Sequence, residues 1–302
     1  MRVLIFGSKG WIGTKFKDLL KELKIEFYGS TNRVERLNIP AIVHEIKKYN
    51  PTHIISFIGR IRGFIGDKEY KTIDYLEQED KLFENMRDNF LAPLLLHQII
   101  KEGGYNIHFT YIGTGCIFEY KEDIGYVQKN PEDCYKFTES DSANFFGSSY
   151  SIIKGYADSY LNNLPNVLNI RIRMPITDSD EPQNFITKIT KYEKICSIPN
   201  SMTVLPSLLP YIVKLMERKY SGTVNMVNPG VISHNEVLQL YKEYVDPSFQ
   251  WKNFTIEEQD EILSSKRSNN YLDTTLLESL FPEVKNIKEA VCEIMQKYNF
   301  VL

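Results

Sequence analysis

The first thirteen residues, MRVLIFGSKGWIG (Met1 to Gly13), decide the fold. Met1 to Phe6 is an apolar run of strand length. It passes directly into Gly7-Ser8-Lys9-Gly10-Trp11-Ile12-Gly13 and then into an amphipathic stretch to about Leu23. A G-x-x-G-x-x-G turn between strand and helix puts residues without side chains where the backbone turns tightly and a pyrophosphate comes close. The helix that follows presents its free N-terminal amides to the phosphates. The spacing alone would suit any tight turn; its place between an opening strand and a helix points to a dinucleotide.

Outward from this turn the chain keeps alternating. Ile25 to Tyr28 is a second strand closed by the polar turn Gly29 to Arg33. Ala41 to Tyr49 is a helix stopped at Asn50-Pro51, and Thr52 to Ile58 a buried strand. A glycine-broken loop (Gly59, Gly63, Gly66) leads to a helical stretch from about Leu76 to Lys101. A strand from Asn106 to Ile112, a helix from Asn144 to Leu161 and a strand from Leu168 to Met174 follow. This alternation predicts an α/β fold, a Rossmann-type doubly wound parallel sheet. After Pro175 the pattern loosens, with one further strand at Thr223 to Val227. The expected organisation is an NADP-binding domain over 1–174, joined by the strand near 223–227, and a smaller C-terminal, mainly substrate-binding domain over 175–302.

The composition fits that frame. At 302 residues the chain can bury a large core without disulfide or metal staples. Hydrophobic residues at 42% and charged residues at 25% are ordinary for a globular protein, which excludes disordered and fibrous classes. A net charge of −3 gives no basic excess of the kind that phosphate neutralisation demands of a nucleic-acid binder. Val3 to Phe6 is too short for a signal peptide or a membrane span. Cys116, Cys134, Cys196 and Cys292 are widely spaced, with no C-x-x-C pair for zinc or redox chemistry, so a reducing, cytoplasmic setting is the expectation.

A cofactor with a free adenine ribose usually meets Asp or Glu at the end of the second strand. A 2′-phosphate needs cations or hydroxyls there, because a carboxylate repels it. Ser30, Thr31, Asn32, Arg33 and Arg36 occupy that end, with no acid before Glu35. The pattern favours NADPH, with NADH as the alternative. The expected cofactor contacts are Gly7, Lys9, Gly10, Trp11, Ile12 and Gly13 in the turn, then Ser30, Asn32, Arg33 and Arg36. Phe57, Ile58 and Gly59 join them at the third strand end, and Tyr150 and Lys154 at the nicotinamide.

Tyr150 and Lys154 lie four apart on the helix after the fourth strand and therefore share a face. A nearby ammonium favours the phenolate and would let the tyrosine exchange a proton with a substrate oxygen. The fourth strand ends at Gly113-Thr114-Gly115-Cys116, where open α/β sheets place ligands. Thr114 can donate a hydrogen bond to the same carbonyl oxygen. Cys116 is either a thiol facing the substrate or a small buried hydrophobe.

The glycine turn, Thr114 and the Tyr150/Lys154 pair resemble the extended short-chain dehydrogenase/reductase superfamily. The runs TGCIFEY (114–120), RMPI (173–176), NFITKIT (184–190), IPNSMT (198–203), NPGVISHNE (228–236) and RSNNYLDTT (267–275) are more specific. They resemble the bifunctional nucleotide-4-keto-6-deoxyglucose 3,5-epimerase/4-reductases that complete nucleotide-L-rhamnose synthesis, and they span nearly the whole chain. The resemblance implies NAD(P)H, a sugar-nucleotide substrate, a homodimer and the triad Thr114, Tyr150 and Lys154. It also implies that Cys116 and a second acid/base group act at C3 and C5. That partner is placed at Lys188, with Lys191 and Lys194 close by. Two departures stand out: the third strand ends in Ser56-Phe57-Ile58-Gly59 instead of an Asn-Ala-Ala-Gly type sequence, and the loop from Arg60 to Lys71 is unlike the family's.

These residue types suit two reactions at one ketone. A 4-keto group acidifies the hydrogens on both flanking carbons, so a thiol and a desolvated ammonium can invert C3 and C5 while Thr114 and Tyr150 hold the enolate oxygen. Hydride then attacks C4, and Tyr150 protonates the oxygen. Thr114, Gly115, Asn184 and Arg267 are the expected substrate contacts; for Asn184 and Arg267 the alternatives are a helix cap and a surface ion pair. The leading expectation is the bifunctional enzyme, with UDP taken ahead of dTDP although both bases present the same hydrogen-bonding edge. The rivals are a 4-keto-reductase alone and a non-catalytic NADP-binding regulatory subunit.

Overall fold

The computed structural model describes residues 1–120, 134–162 and 164–298. In chain order the described strands are β1 (Arg2–Phe6), β2 (Glu26–Gly29), β3 (His53–Ser56), β4 (Gly63–Ile65), β5 (Lys68–Tyr70), β6 (His108–Thr114), β7 (Val167–Ile172) and β8 (Gly222–Asn225). The helices in the first half are α1 (Trp11–Glu22), α2 (Ile39–Tyr49), α3 (Leu82–Met86), α4 (Ala92–Glu102) and α5 (Ser149–Leu161). Those in the second half are α6 (Phe185–Ile189), α7 (Leu205–Glu217), α8 (His234–Tyr244), α9 (Ile256–Ile262), α10 (Thr275–Leu280) and α11 (Ile287–Lys297).

Six strands form one sheet in the order β2-β1-β3-β6-β7-β8, and every neighbouring pair is parallel. Parallel strands need crossovers that cover both faces, and the residues of β3, β6 and β7 are all buried accordingly. The two-residue period of β1 divides the core. Val3 and Ile5 pack with Phe16 and Leu20 of α1 and Leu208 and Ile212 of α7, while Leu4 and Phe6 pack with Ile42, Leu96, Tyr111 and Ala157. β8 returns to the sheet edge, so the fold is the Rossmann-type α/β arrangement that the alternation predicts. A separate apolar cluster (Ile176, Ile186, Val237, Leu238, Ile294) lies under α6, α8 and α11.

The chain runs one way from β1 to β2 and the other way from β1 to β3, so the crevice opens at the ends of β1 and β3. Gly7 takes φ +75° there, and a Cβ on it would meet the Phe57 carbonyl carbon at 2.9 Å. A Cβ on Gly13 would fall 2.4 Å from the Gly7 oxygen, which is why α1 can start against the turn only with glycine.

Three elements differ from the sequence expectation for local reasons. The single helix over Leu76 to Lys101 is a 3-10 turn (Ile73–Glu77), then α3, a π turn (Arg87–Leu91) and α4. Pro93 has no N–H to give to a carbonyl four residues back, and the π turn absorbs the missing bond. The 60–71 loop holds the β4–β5 hairpin, turned at Gly66 with φ +57°. The helix expected from Asn144 begins at Ser149. Asn144 is held against the 117–119 turn by its backbone N–H to the Ile117 carbonyl and its amide to the Glu119 carbonyl, and Ser148 caps α5 by accepting from Ser151 N–H.

Candidate active site

β6 delivers Thr114 to the C-terminal end of the sheet, and α5 follows with Tyr150 and Lys154 on one face. Thr114 Oγ1 accepts from the Cys116 backbone N–H at 3.1 Å, which folds the Gly115-Cys116 turn back over the strand end. Thr114 lies near the Tyr150 phenol. Burial, and after it the neighbouring Cys116, push the phenol up, and Thr114 opposes them. Lys154 is 4% exposed. Burial pushes its ammonium down to about 7, while Asp158 and Cys116 pull the other way. Thr114, Cys116, Tyr150 and Lys154 therefore form one interacting group. The ammonium that the sequence turns toward the Tyr150 phenol instead hydrogen-bonds the hydroxyl of Tyr111 at 2.5 Å.

The turn after β1 fits a dinucleotide. Gly10 N–H bonds the Gly7 carbonyl at 3.0 Å, Gly10 is the extended N-cap of α1, and no acid lies in the first turn of that helix. The amides of Trp11, Ile12 and Gly13 belong to the turn whose N–H groups have no partner within the helix. Side chains fix the start of α1 from outside: Trp11 Nε1 donates to Glu181 Oε2 at 2.7 Å, and Lys15 pairs with the same carboxylate at 2.8 Å. Lys9 is exposed, Phe57 and Ile58 are half-buried, and a Cβ added to Gly59 would meet Asn89 Oδ1 at 3.3 Å.

The end of β2 is more acidic than its local sequence. Ser30 Oγ donates to Glu45 Oε2 at 2.6 Å, so α2 returns a carboxylate to the strand end. The Asn32 backbone N–H bonds Ser30 Oγ at 3.2 Å. Arg33 approaches Asp88 at 3.4 Å and Glu35 at 4.0 Å, and Arg36 is exposed. Arg60 and Arg87 bind Asp88 as well, at 2.7 and 2.8 Å. Burial pushes the Asp88 carboxyl up, but these two guanidiniums outweigh it and hold it below the usual range.

Lys188 lies on α6, half-buried, whereas Lys191 and Lys194 are exposed. Burial first and Arg62 second lower the Lys188 ammonium. With its amide oxygen turned to the guanidinium, Gln183 accepts from Arg62 Nη2 at 2.5 Å and Nη1 at 2.9 Å, so the 60–71 segment reaches α6. Asn184 is fully buried and takes the cap role: its Oδ1 accepts from Ile186 N–H and Thr177 N–H, and its Nδ2 donates to the carbonyls of Thr177 and Ser179. Arg267 is in an ion pair with Asp74 at 2.5 Å. Its guanidinium also donates to the Ser265 hydroxyl.

The 267–275 segment is stapled to the 115–118 turn. Asn270 Nδ2 donates to the Gly115 carbonyl at 2.9 Å and Ser268 Oγ to the Phe118 carbonyl at 2.7 Å. Buried Arg173 donates to the Ser268 carbonyl and to Asn200 Oδ1, both at 2.8 Å. A Cβ on Gly115 would meet the Leu272 side chain at 2.5 Å and that of Arg173 at 3.1 Å, so Gly115 makes room for both side chains against the turn. Sequence reasoning missed Tyr111, Glu45, Arg62 and Asp74. Tyr111 left one signal, a phenol inside a strand that is buried along its whole length; the others meet their partners only through the tertiary fold. Among the described residues no group of three His, Cys, Asp or Glu could hold a metal ion, and no helix is long and apolar enough to cross a membrane.

No family model matches the chain. The chain is 45% identical to the L780 UDP-rhamnose synthase of Acanthamoeba polyphaga mimivirus, whose crystal structure aligns with a TM-score of 0.90 over 98% of this chain and 99% of that one. It is 41% identical over 298 residues to a bifunctional dTDP-4-dehydrorhamnose 3,5-epimerase/dTDP-4-dehydrorhamnose reductase of Arabidopsis thaliana, across 98% of this chain and 93% of the relative. A dTDP-4-dehydrorhamnose reductase from Bacillus anthracis in complex with NADP shares the fold at 18% identity, with a TM-score of 0.74 over 97% of this chain and 98% of its own.

Proposed function

Because the chain belongs to the bifunctional nucleotide-4-keto-6-deoxyglucose 3,5-epimerase/4-reductase family, we propose that it epimerises C3 and C5 of a nucleotide-4-keto-6-deoxy-D-glucose and reduces C4 to give the nucleotide-L-rhamnose. The observation that carries this reading is the meeting of Thr114, Cys116, Tyr150 and Lys154 at one strand end. UDP is the proposed nucleotide, supported by the 45% identity to a UDP-rhamnose synthase over nearly the whole chain.

In this mechanism the Thr114 and Tyr150 hydroxyls hydrogen-bond the C4 oxygen and stabilise the enolate formed when a neighbouring proton leaves. Cys116 and Lys188 exchange the protons at C3 and C5, Lys188 being suited to give and take a proton by its lowered ammonium. The Gly7–Gly13 turn and the end of β2 would hold NADPH, which would supply the hydride for C4. Tyr150 gives its proton to the C4 oxygen, and Lys154, on the same face of α5, orients the ribose side of the site.

A homodimer and a cytoplasmic location complete the proposal. The apolar side chains of Phe83, Leu91, Tyr156 and Tyr160 are exposed on the α3–α4 and α5 surface, where a second copy would cover them. Light scattering at micromolar concentration should give twice the mass of 35.2 kDa; a monomer overturns that part. The reaction is tested by incubating the chain with NADPH and UDP- or dTDP-4-keto-6-deoxyglucose and assigning the product by NMR. An L-rhamnose ring supports the reading. A reduced sugar with unchanged C3 and C5 leaves a reductase alone, and no turnover contradicts it.

A further inference from the structure

Lys154 is held by a residue that neither the glycine turn nor the Tyr/Lys spacing brings in. Tyr111 lies within β6, three residues before Thr114, with 0% exposure. Its hydroxyl is 2.5 Å from Lys154 Nζ. On α5, Tyr150 stands one turn before Lys154 and Asp158 one turn after it. Asp158 would be the natural counter-ion, but both its oxygens bind Arg171 of β7, at 2.7 and 2.9 Å, and Oδ1 also accepts from Asn169 at 2.7 Å. The direct hydrogen bond from the lysine therefore goes to the phenol.

We propose that Tyr111 is a positioning residue for the proton-transfer set: it fixes Lys154 Nζ on the α5 face that carries Tyr150 and serves the lysine in both charge states, accepting from the ammonium and donating to the amine. A phenol can do both because its oxygen is an acceptor and its O–H a donor, whereas a carboxylate can only accept. Burial pushes the Tyr111 phenol well up, so it stays neutral while the nearby lysine, at about 7, changes charge. The charged groups facing this pair are Asp158 with its Arg171 partner, Tyr150 and Cys116. The inference rests on the reading that Tyr150 and Lys154 act at the C4 oxygen.

The test is a cycle of Tyr111→Phe, Lys154→Met and the double variant, with Lys154 titrated by 13Cε NMR in the chain without cofactor. Tyr111→Phe keeps the ring and removes one oxygen. A charge-assisted hydrogen bond lost from the ammonium should lower the Lys154 titration by about one pH unit. The high-pH limb of kcat for 4-keto reduction should move down with it, while KM for the sugar changes less than about twofold. In the Lys154→Met background Tyr111→Phe should then have no further effect. An unmoved Lys154 titration, or a Tyr111→Phe loss that persists in full beside Lys154→Met, overturns the assignment. A nuclear Overhauser contact between the Tyr111 hydroxyl proton and Lys154 Hε in the unsubstituted chain checks the pair without any variant, and its absence counts against it. If the chain reduces no 4-keto sugar, the reaction reading fails, but the titration still decides the role of Tyr111.

Discussion

Single residues carry the chemistry. In the proposed mechanism Tyr150→Phe removes the acid at the C4 oxygen, and kcat for reduction should drop about 10²–10⁴-fold, the usual contribution of a positioned proton donor. NADPH binding, followed by fluorescence, should survive; wild-type turnover in this variant would take Tyr150 out of the mechanism. Glu45 supplies the acid that the end of β2 lacks in sequence, through its 2.6 Å bond to Ser30. Glu45→Gln should shift the kcat/KM ratio several-fold toward NADPH over NADH by removing a charge that repels a 2′-phosphate. An unchanged ratio means that the carboxylate only anchors Ser30. Thr114, Tyr150 and Lys154 were legible because the end of a sheet strand and the next helix are adjacent in both sequence and space. Tyr111, Glu45 and the Arg267–Asp74 pair were not, because their partners lie across the fold, and a cation in sequence does not declare whether a carboxylate already holds it.

At the scale of elements, the position of α5 depends on one buried ion pair. Arg171 of β7 is fully buried and binds Asp158 through two hydrogen bonds. Arg171→Met leaves that carboxylate without its cation and should cost about 3–5 kcal/mol in urea denaturation, with less lost when Asp158→Leu is added. Equal losses in the single and double variants would show that the pair does not work as a unit. Each strand of the main sheet could be read from apolar runs and turn residues. The boundaries could not, since Asn144 is withdrawn from α5 by its bonds to the 117–119 turn and Pro93 splits the long helix with a π turn. The β4–β5 hairpin was also hidden, because three-residue strands leave too few alternations to count.

Across the whole molecule, the end of the sheet opposite the site is tied by two histidines. His53 Nε2 donates to the Met216 carbonyl at 2.9 Å and His108 Nε2 to the Tyr220 carbonyl at 2.8 Å, joining β3 and β6 to the end of α7 and the turn after it. Burial, then the neighbouring His108, pushes His53 down to about 4. The unfolded chain, with an ordinary histidine near 6.5, thus binds more protons in between. Stability is complete above about pH 6.5 and falls as pH drops toward 4, by about 3 kcal/mol for His53 alone. Urea midpoints at pH 7 and pH 5 should show this, and His53→Gln should reduce the difference; an equal difference in that variant removes His53 as the cause. The same overall frame brings the 267–275 segment onto the 115–118 turn, and the proposed function places both reactions in one cleft beside that turn. That claim is tested most directly by Cys116→Ser in deuterium oxide, with NMR at C3 and C5 of the 4-keto sugar and a separate assay on a pre-epimerised 4-keto sugar. The account requires deuterium exchange to disappear while reduction of the pre-epimerised substrate continues. Exchange at the unsubstituted rate, or loss of both activities in a folded variant that binds NADPH, would contradict it.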